Sequence, residues 1–97
     1  ESHNQDKVSM GTIAARDSIR TLELTEQVVA GALLASIQAL DLRIKSGIIS
    51  RKDFSGVIEN QYESIRSFSP MVTEDRPLED DLRTLLIEIR NQSLPVL

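Results

Sequence analysis

No charged residue occurs between Val28 and Leu40, within the run QVVAGALLASIQALDL that spans residues 27–42. Drawn as a helix, the run presents apolar or small residues on every side. A helix that is apolar all round has to be buried, in a core or in a membrane. A bilayer takes about 20 apolar residues, and Ser36, Gln38 and Asp41 interrupt or close this shorter run. Its length and its Ala and Leu content argue against a strand, which usually runs about 4–8 residues. The small residues Ala30, Gly31, Ala32, Ala35, Ser36 and Ala39 let neighbouring helices come close. The run is expected to be the central helix of an all-α assembly.

One helix buried on every side is a large demand on 97 residues. A chain of this size makes one domain and buries only about 60–65% of its unfolded surface. With aromatic content at 3%, the core has to come from Leu, Ile, Val and Ala, which suits helix packing. The mismatch predicts that part of the surroundings of this helix lies elsewhere, in further chain or in other subunits.

The net charge is −4, with 11 basic and 15 acidic residues well mixed. There is no basic stripe of the kind nucleic acid requires. The absence of cysteine removes disulfides and thiolate metal sites, and a single histidine, His3, cannot build a histidine metal site. No secretory signal and no membrane span is legible, so a soluble, cytoplasmic protein is expected.

Residues 1–7, ESHNQDK, are polar and rich in cap and turn formers, and read as a loop or turn. Helical periodicity starts at Val8 and continues through Met10, Ile13, Ala14, Ile19 and Leu22. From there Leu22, Val29, Leu33, Ser36 and Leu40 form one seam, and Val28, Ala32, Ala35, Ala39 and Leu42 a second. The reading is a helix over residues 8–45, bent near Thr21–Thr25, stopped by Ser46 and Gly47 after a Lys-bearing last turn. Ile48 and Ile49 are expected to tuck back against it. Ser50 with Asp53 resembles a capping box, and Phe54, Val57, Ile58, Tyr62 and Ile65 share one face of an amphipathic helix over residues 51–67. Pro70 ends it, and residues 71–76 form a loop. Pro77 suits the first turn of a third helix over residues 77–92, whose buried stripe is Leu78, Leu82, Leu85, Leu86 and Ile89.

Conventional catalytic motifs are missing. The triple Glu79-Asp80-Asp81 falls in a first helical turn, where it complements the helix dipole, so no metal site is expected. Tyr62 is expected in the core, and Arg16 and Arg20 on a solvated or interface face. The polar tract ahead of the buried helix is different. Glu1, Asn4 and Gln5 are spaced i, i+3, i+4, so in one helical turn they share a face. A carboxylate and two amides there can bind an ammonium group and a carboxylate, or can simply cap and hydrate a helix start.

Residues 1–11, ESHNQDKVSMG, resemble the C-terminal active-site segment of the aromatic amino acid ammonia-lyases, the histidine, phenylalanine and tyrosine enzymes with their related aminomutases. The continuation TIAARDSIRTLELTEQVVAGALLASIQALDLR resembles the long helical stretch that follows it in that family. The likeness covers residues 1–43, beyond which only the helical pattern agrees. It implies a mostly helical homotetramer with long helices packed in its centre and active sites shared between subunits, of which this chain is the C-terminal part. It implies a prosthetic group, 4-methylideneimidazol-5-one, formed from an internal Ala-Ser-Gly. This chain has none: the nearest strings are Ala35-Ser36-Ile37 and Phe54-Ser55-Gly56. Alone, it is expected to be inactive.

Three residues carry over from the family. Glu1 matches the glutamate near the substrate amine, a catalytic position, and Asn4 a substrate-binding asparagine of the site wall. Gln5 stands where histidine lyases typically have glutamate and the phenylalanine and tyrosine enzymes glutamine. An amide beside an uncharged ring avoids burying an unpaired charge, which directs the reading toward phenylalanine or tyrosine as substrate, although Val-Ser-Met-Gly is common in histidine lyases. Lys7 departs from the histidine usual there. The rival readings are a 2,3-aminomutase of the same family and a stand-alone helical oligomerisation module.

Overall fold

The computed structural model describes residues 3–94, with side chains described from Met10 onward. Among them are three α-helices and no strand: α1 (His3–Lys45), α2 (Gly56–Arg66) and α3 (Glu79–Arg90), with a 3-10 helix at Arg51–Asp53. α2 and α3 fold back as an antiparallel pair onto the C-terminal half of α1, and α3 makes the broader contact. The N-terminal half of α1 projects beyond them. The molecule is therefore elongated, 67 × 32 × 21 Å, with a radius of gyration of 19.1 Å, against about 12.5 Å for a compact chain of this length.

α1 starts earlier than the periodicity predicts. Residues expected as a loop are already helical from His3. Once a helix is nucleated, each added residue costs little, and no proline or glycine interrupts the chain before Gly11. α1 runs without a break in helical structure through Thr21–Thr25, where the Thr25 hydroxyl donates to the Thr21 carbonyl at 2.8 Å. Its C-terminus closes as predicted at Gly47, whose φ of +76° permits the left-handed turn. Ile48 N–H donates to the Arg43 carbonyl and Gly47 N–H to that of Ile44, both at 3.0 Å, which is a Schellman closure. Ile48 does not tuck back; it is 67% exposed.

The predicted 51–67 helix is two pieces. Asp53 accepts from the Ser50 N–H at 2.8 Å and closes only a single 3-10 turn. α2 then starts afresh from Ser55, whose hydroxyl accepts from the Ile58 N–H at 3.3 Å. Phe54 lies in the break and meets Tyr62 edge-on, ring centroids 5.5 Å apart. Ile58 is exposed rather than part of the buried stripe. α3 begins at Glu79 with Leu78 as its N-cap, so Pro77 precedes the helix instead of occupying its first turn.

The core is small: Ala30 and Ile37 of α1, Ile65 of α2 and Leu85 of α3, with Leu33, Leu34, Leu40, Tyr62, Leu82, Leu86 and Ile89 packed around them. α1 is buried along one stripe only. The predicted seams match that stripe only in part: Leu33 and Leu40 of the first pack against the core, whereas Leu22 and Val29 face solvent, as do Val28, at 72% exposure, and Leu42 of the second. The accessible surface, 7346 Å², exceeds by about 1,800 Å² what a compact protein of this mass exposes. Among the described residues, the uncharged run thus has helix neighbours on one side and none on the other.

Leu85 is fully buried in the cluster it forms with Ala30, Ile37 and Ile65, so truncating it opens a cavity and Leu85→Ala is expected to cost about 2–5 kcal/mol. Ile58→Ala, on an exposed face, is expected to cost under about 0.5 kcal/mol. Urea unfolding followed by far-UV circular dichroism separates the two.

Candidate functional site

The sequence-predicted site residues sit at the far end of α1 from this core. Asn4 and Gln5 lie in its N-terminal turns, while Glu1 lies outside the described residues. Their side-chain contacts, and those of His3, fall outside the described part of the structure.

The described polar chemistry is gathered at the opposite end, around two buried carboxylates. Asp41 closes the uncharged run on the inward face of α1. Arg66, in the last turn of α2, donates to it through Nε at 2.8 Å and lies within 2.6 Å through a terminal nitrogen. The Tyr62 hydroxyl, one helical turn earlier, donates to the other Asp41 oxygen. Burial, and then the neighbouring Asp41 carboxylate, push the Tyr62 phenol above its ordinary range, so it stays a neutral donor. Arg66 also donates to the Ser69 carbonyl at 2.7 Å. Gln38, one turn before Asp41, meets the backbone of Val72 twice: its amide donates to the Val72 carbonyl at 2.8 Å and accepts from the Val72 N–H at 3.1 Å.

The second carboxylate is Asp81. The predicted acidic triple divides by burial. Glu79 and Asp80 are exposed and pair with Arg83, at 2.8 and 3.3 Å. Asp81 is buried, accepting from the Ser69 hydroxyl and from Arg76 at 2.9 Å. The Arg76 guanidinium holds the Asp81 carboxyl below the usual carboxylate range, with help from Ser69 and against the opposing effect of burial. Arg76 also donates to the Pro70 carbonyl at 2.8 Å, so the 67–78 connection is tied to both α1 and α3.

No described side chain here is a free acid, base or nucleophile. Every buried polar side-chain atom among the described residues has a hydrogen-bond partner, and no acidic or histidine cluster there can hold a metal. A groove of about 330 Å³ lies against Leu34, Gln38, Arg66, Ser69, Val72 and Leu82, but its three polar side chains are committed, Arg66 to Asp41, Gln38 to Val72 and Ser69 to Asp81. Arg51 stacks on Tyr62, its guanidinium carbon 4.4 Å from the ring centroid, while paired with Glu59. Arg90, in the last turn of α3, reaches Glu26 of α1 at 3.0 Å. These groups hold helices together. Their role is invisible in the sequence, because nothing local distinguishes Asp41 or Asp81 from neighbouring surface acids.

The implied prosthetic group does not fit this chain's own residues. Ser36 lies inside the unbroken helix α1, and the Ser55 hydroxyl is the N-cap of α2. Neither follows an alanine and precedes a glycine as the precursor requires.

The aromatic amino acid lyase family matches residues 1–67, and the chain belongs to that family. Among its relatives, the histidine ammonia-lyase of Natranaerobius thermophilus is 42% identical over 86 residues, covering 87% of this chain and 15% of the relative. Those of Macrococcus caseolyticus and a Geobacillus species are each 32% identical, covering 87% and 84% of this chain and 16% and 15% of theirs. The chain thus spans about 15% of the length of these relatives. The likeness runs well past residue 43, where the sequence resemblance was expected to fade. No solved structure matches the chain.

Two outcomes are expected. Arg66→Met leaves Asp41 buried without its cation and costs about 3–5 kcal/mol, read as a fall in the urea midpoint. Asp81 has a folded pKa below its unfolded value, so its bonds add stability present above about pH 4 and lost as pH falls through the folded pKa. Glu59 is lowered by Arg51 and titrates in the same window, so the comparison is made by difference. Asp81→Asn is expected to flatten the loss of stability between about pH 5 and pH 2 relative to the parent chain.

Proposed function

We propose that this chain is the C-terminal helical part of a histidine ammonia-lyase. The reading is supported by one observation above all: the family match begins at residue 1 and so includes the segment bearing Glu1, Asn4 and Gln5, and the relatives cited carry that name. In this reading Glu1 lies near the substrate amine, and Asn4 and Gln5 line the wall beside it. The reaction removes a β-proton and ammonia from the amino acid and leaves a double bond between the α- and β-carbons. The prosthetic group, the base and the rest of the wall belong to parts of the lyase outside residues 1–97, because no Ala-Ser-Gly occurs here. The 97-residue chain alone is inactive, and the whole enzyme is a cytoplasmic homotetramer.

Gln5 pointed the sequence reading toward phenylalanine or tyrosine, whereas the names of the relatives favour histidine. The two are compatible chemically. A glutamine side-chain oxygen accepts a hydrogen bond from an imidazole N–H as a carboxylate does, without the charge.

The test uses a full-length lyase carrying this segment. The kcat/KM for histidine is expected to exceed those for phenylalanine and tyrosine, and the reverse order sinks the histidine reading. Gln5→Glu replaces a neutral acceptor by a charged one, a gain of about 1 kcal/mol. It is expected to raise histidine turnover relative to tyrosine by about 5–10-fold. An unchanged ratio would show that Gln5 does not face the ring.

A further inference from the structure

α1 is packed along only part of its length. From Met10 to Thr25 every residue is exposed, Ile13, Ile19 and Leu22 at 55%, 60% and 61%. Going along the helix from Met10, Glu26 is the first residue that is not exposed, and Arg90 of α3 donates to its carboxylate at 3.0 Å. Ala30, one turn further on, is fully buried.

The two parts of the helix are held by different forces. Beyond Glu26, Ala30 and Ile37 share one apolar cluster with Ile65 and Leu85, Asp41 is paired with Arg66, and Gln38 holds the Val72 backbone. Opening a turn there exposes apolar surface or strands a buried charge, so this part of α1, α2 and α3 come apart together. Before Glu26 the apolar side chains are mostly exposed already, so opening the helix gives up little burial. What holds it is helix propensity. Gly11, Thr12, Ser18, Thr21 and Thr25 are poor helix formers. Arg16 and Arg20 are like charges one turn apart, which weakens a helix further. Even good formers propagate a helix with a constant of only about 1–1.6 near 0 °C. A run such as this one, growing outward from a folded end, gains nothing with each added turn.

We propose that α1 consists of two cooperative units joined at Glu26. Residues 27–45 unfold only with α2 and α3, whereas residues 10–25 form an arm that opens and closes independently of them. The arm leads to the turns that carry Asn4 and Gln5, so the order of that segment is set apart from the order of the core. That the segment lines a substrate site rests on the lyase reading. On that reading, an amino acid that binds Asn4 and Gln5 only in their helical arrangement orders the arm by mass action, and the core beyond Glu26 is unchanged. The joint itself follows from burial alone.

Amide hydrogen exchange of the 97-residue chain, followed residue by residue by NMR, tests the joint. Amides of residues 14–25 are expected to be protected less than about 10-fold over an open chain, and those of residues 34–43 at least about 100-fold. Ile65→Val is a mild change that keeps the core folded. It is expected to speed exchange of residues 34–43 about 3–10-fold and to leave residues 14–25 unchanged. Gly11→Ala adds a methyl group that meets nothing within 4 Å. It is expected to raise protection of the neighbouring arm amides about 2–5-fold with no change beyond Glu26. Similar protection on both sides of Glu26, or an Ile65→Val effect of the same size on both, makes α1 a single cooperative helix and overturns the proposal. Exchange is read without turnover, so the two readings fail separately. A full-length lyase that does not act on histidine sinks the lyase reading and leaves the joint standing. Uniform exchange sinks the joint and leaves the lyase reading standing.

Discussion

The Asp41–Arg66 pair is the constraint on which the rest of the described structure depends. A carboxylate on the inward face of α1 cannot be buried unpaired, because taking an ion out of water costs several kcal/mol unless its partners are supplied. Arg66 supplies the charge and Tyr62 a second hydrogen bond, and both belong to the last two turns of α2. Satisfying Asp41 therefore sets where α2 ends along α1. Arg66 then also grips the Ser69 carbonyl, and Gln38 binds the backbone of Val72 as an adjacent strand would. The 67–78 connection has no regular structure of its own, and these contacts turn it into a fixed strap that delivers α3.

Asp81 completes the same logic from the other side. It takes the Ser69 hydroxyl and Arg76, so the strap is held to α3 by the Asp81 carboxylate and to α1 by the Gln38 amide. Between the two anchors Ile65 and Leu85 close over Ala30 and Ile37. The apolar core is only a few residues thick, and the polar anchors specify its geometry. Such a core is enough to cover one stripe of α1 and leaves the opposite stripe bare. The chain belongs to the aromatic amino acid lyase family and spans about 15% of the length of the relatives it matches.

How far the fold was legible differs from element to element, for physical reasons. The stop of α1 at Gly47 and the stripe of Leu82, Leu85, Leu86 and Ile89 on α3 rest on local chemistry, a left-handed turn and a 3.6-residue period, and both are where the sequence places them. The start of α1 was misread because cap-forming residues compete with a helix only when it is free to begin there. The break at Phe54 was missed because Ser55 is as good a cap as Ser50, and only packing against Tyr62 decides between them. For the candidate site, Glu1, Asn4 and Gln5 were found through a motif, a signal carried by residue types and order rather than by folding. The buried carboxylates had no such signal.

From its sequence alone, this protein is an all-α chain of the lyase family built on one long helix with an uncharged run between Val28 and Leu40. Periodicity and motif are properties of neighbouring residues, which the chain carries with it. Which stripe of that helix is covered, and which two of its many acids are buried, only the tertiary structure decided. Those choices depend on arginines that stand 25 residues beyond Asp41 and five residues before Asp81. Until the chain folds back, nothing separates Asp41 or Asp81 from acids in water, and the side of α1 that stays exposed is indistinguishable from the stripe that became the core.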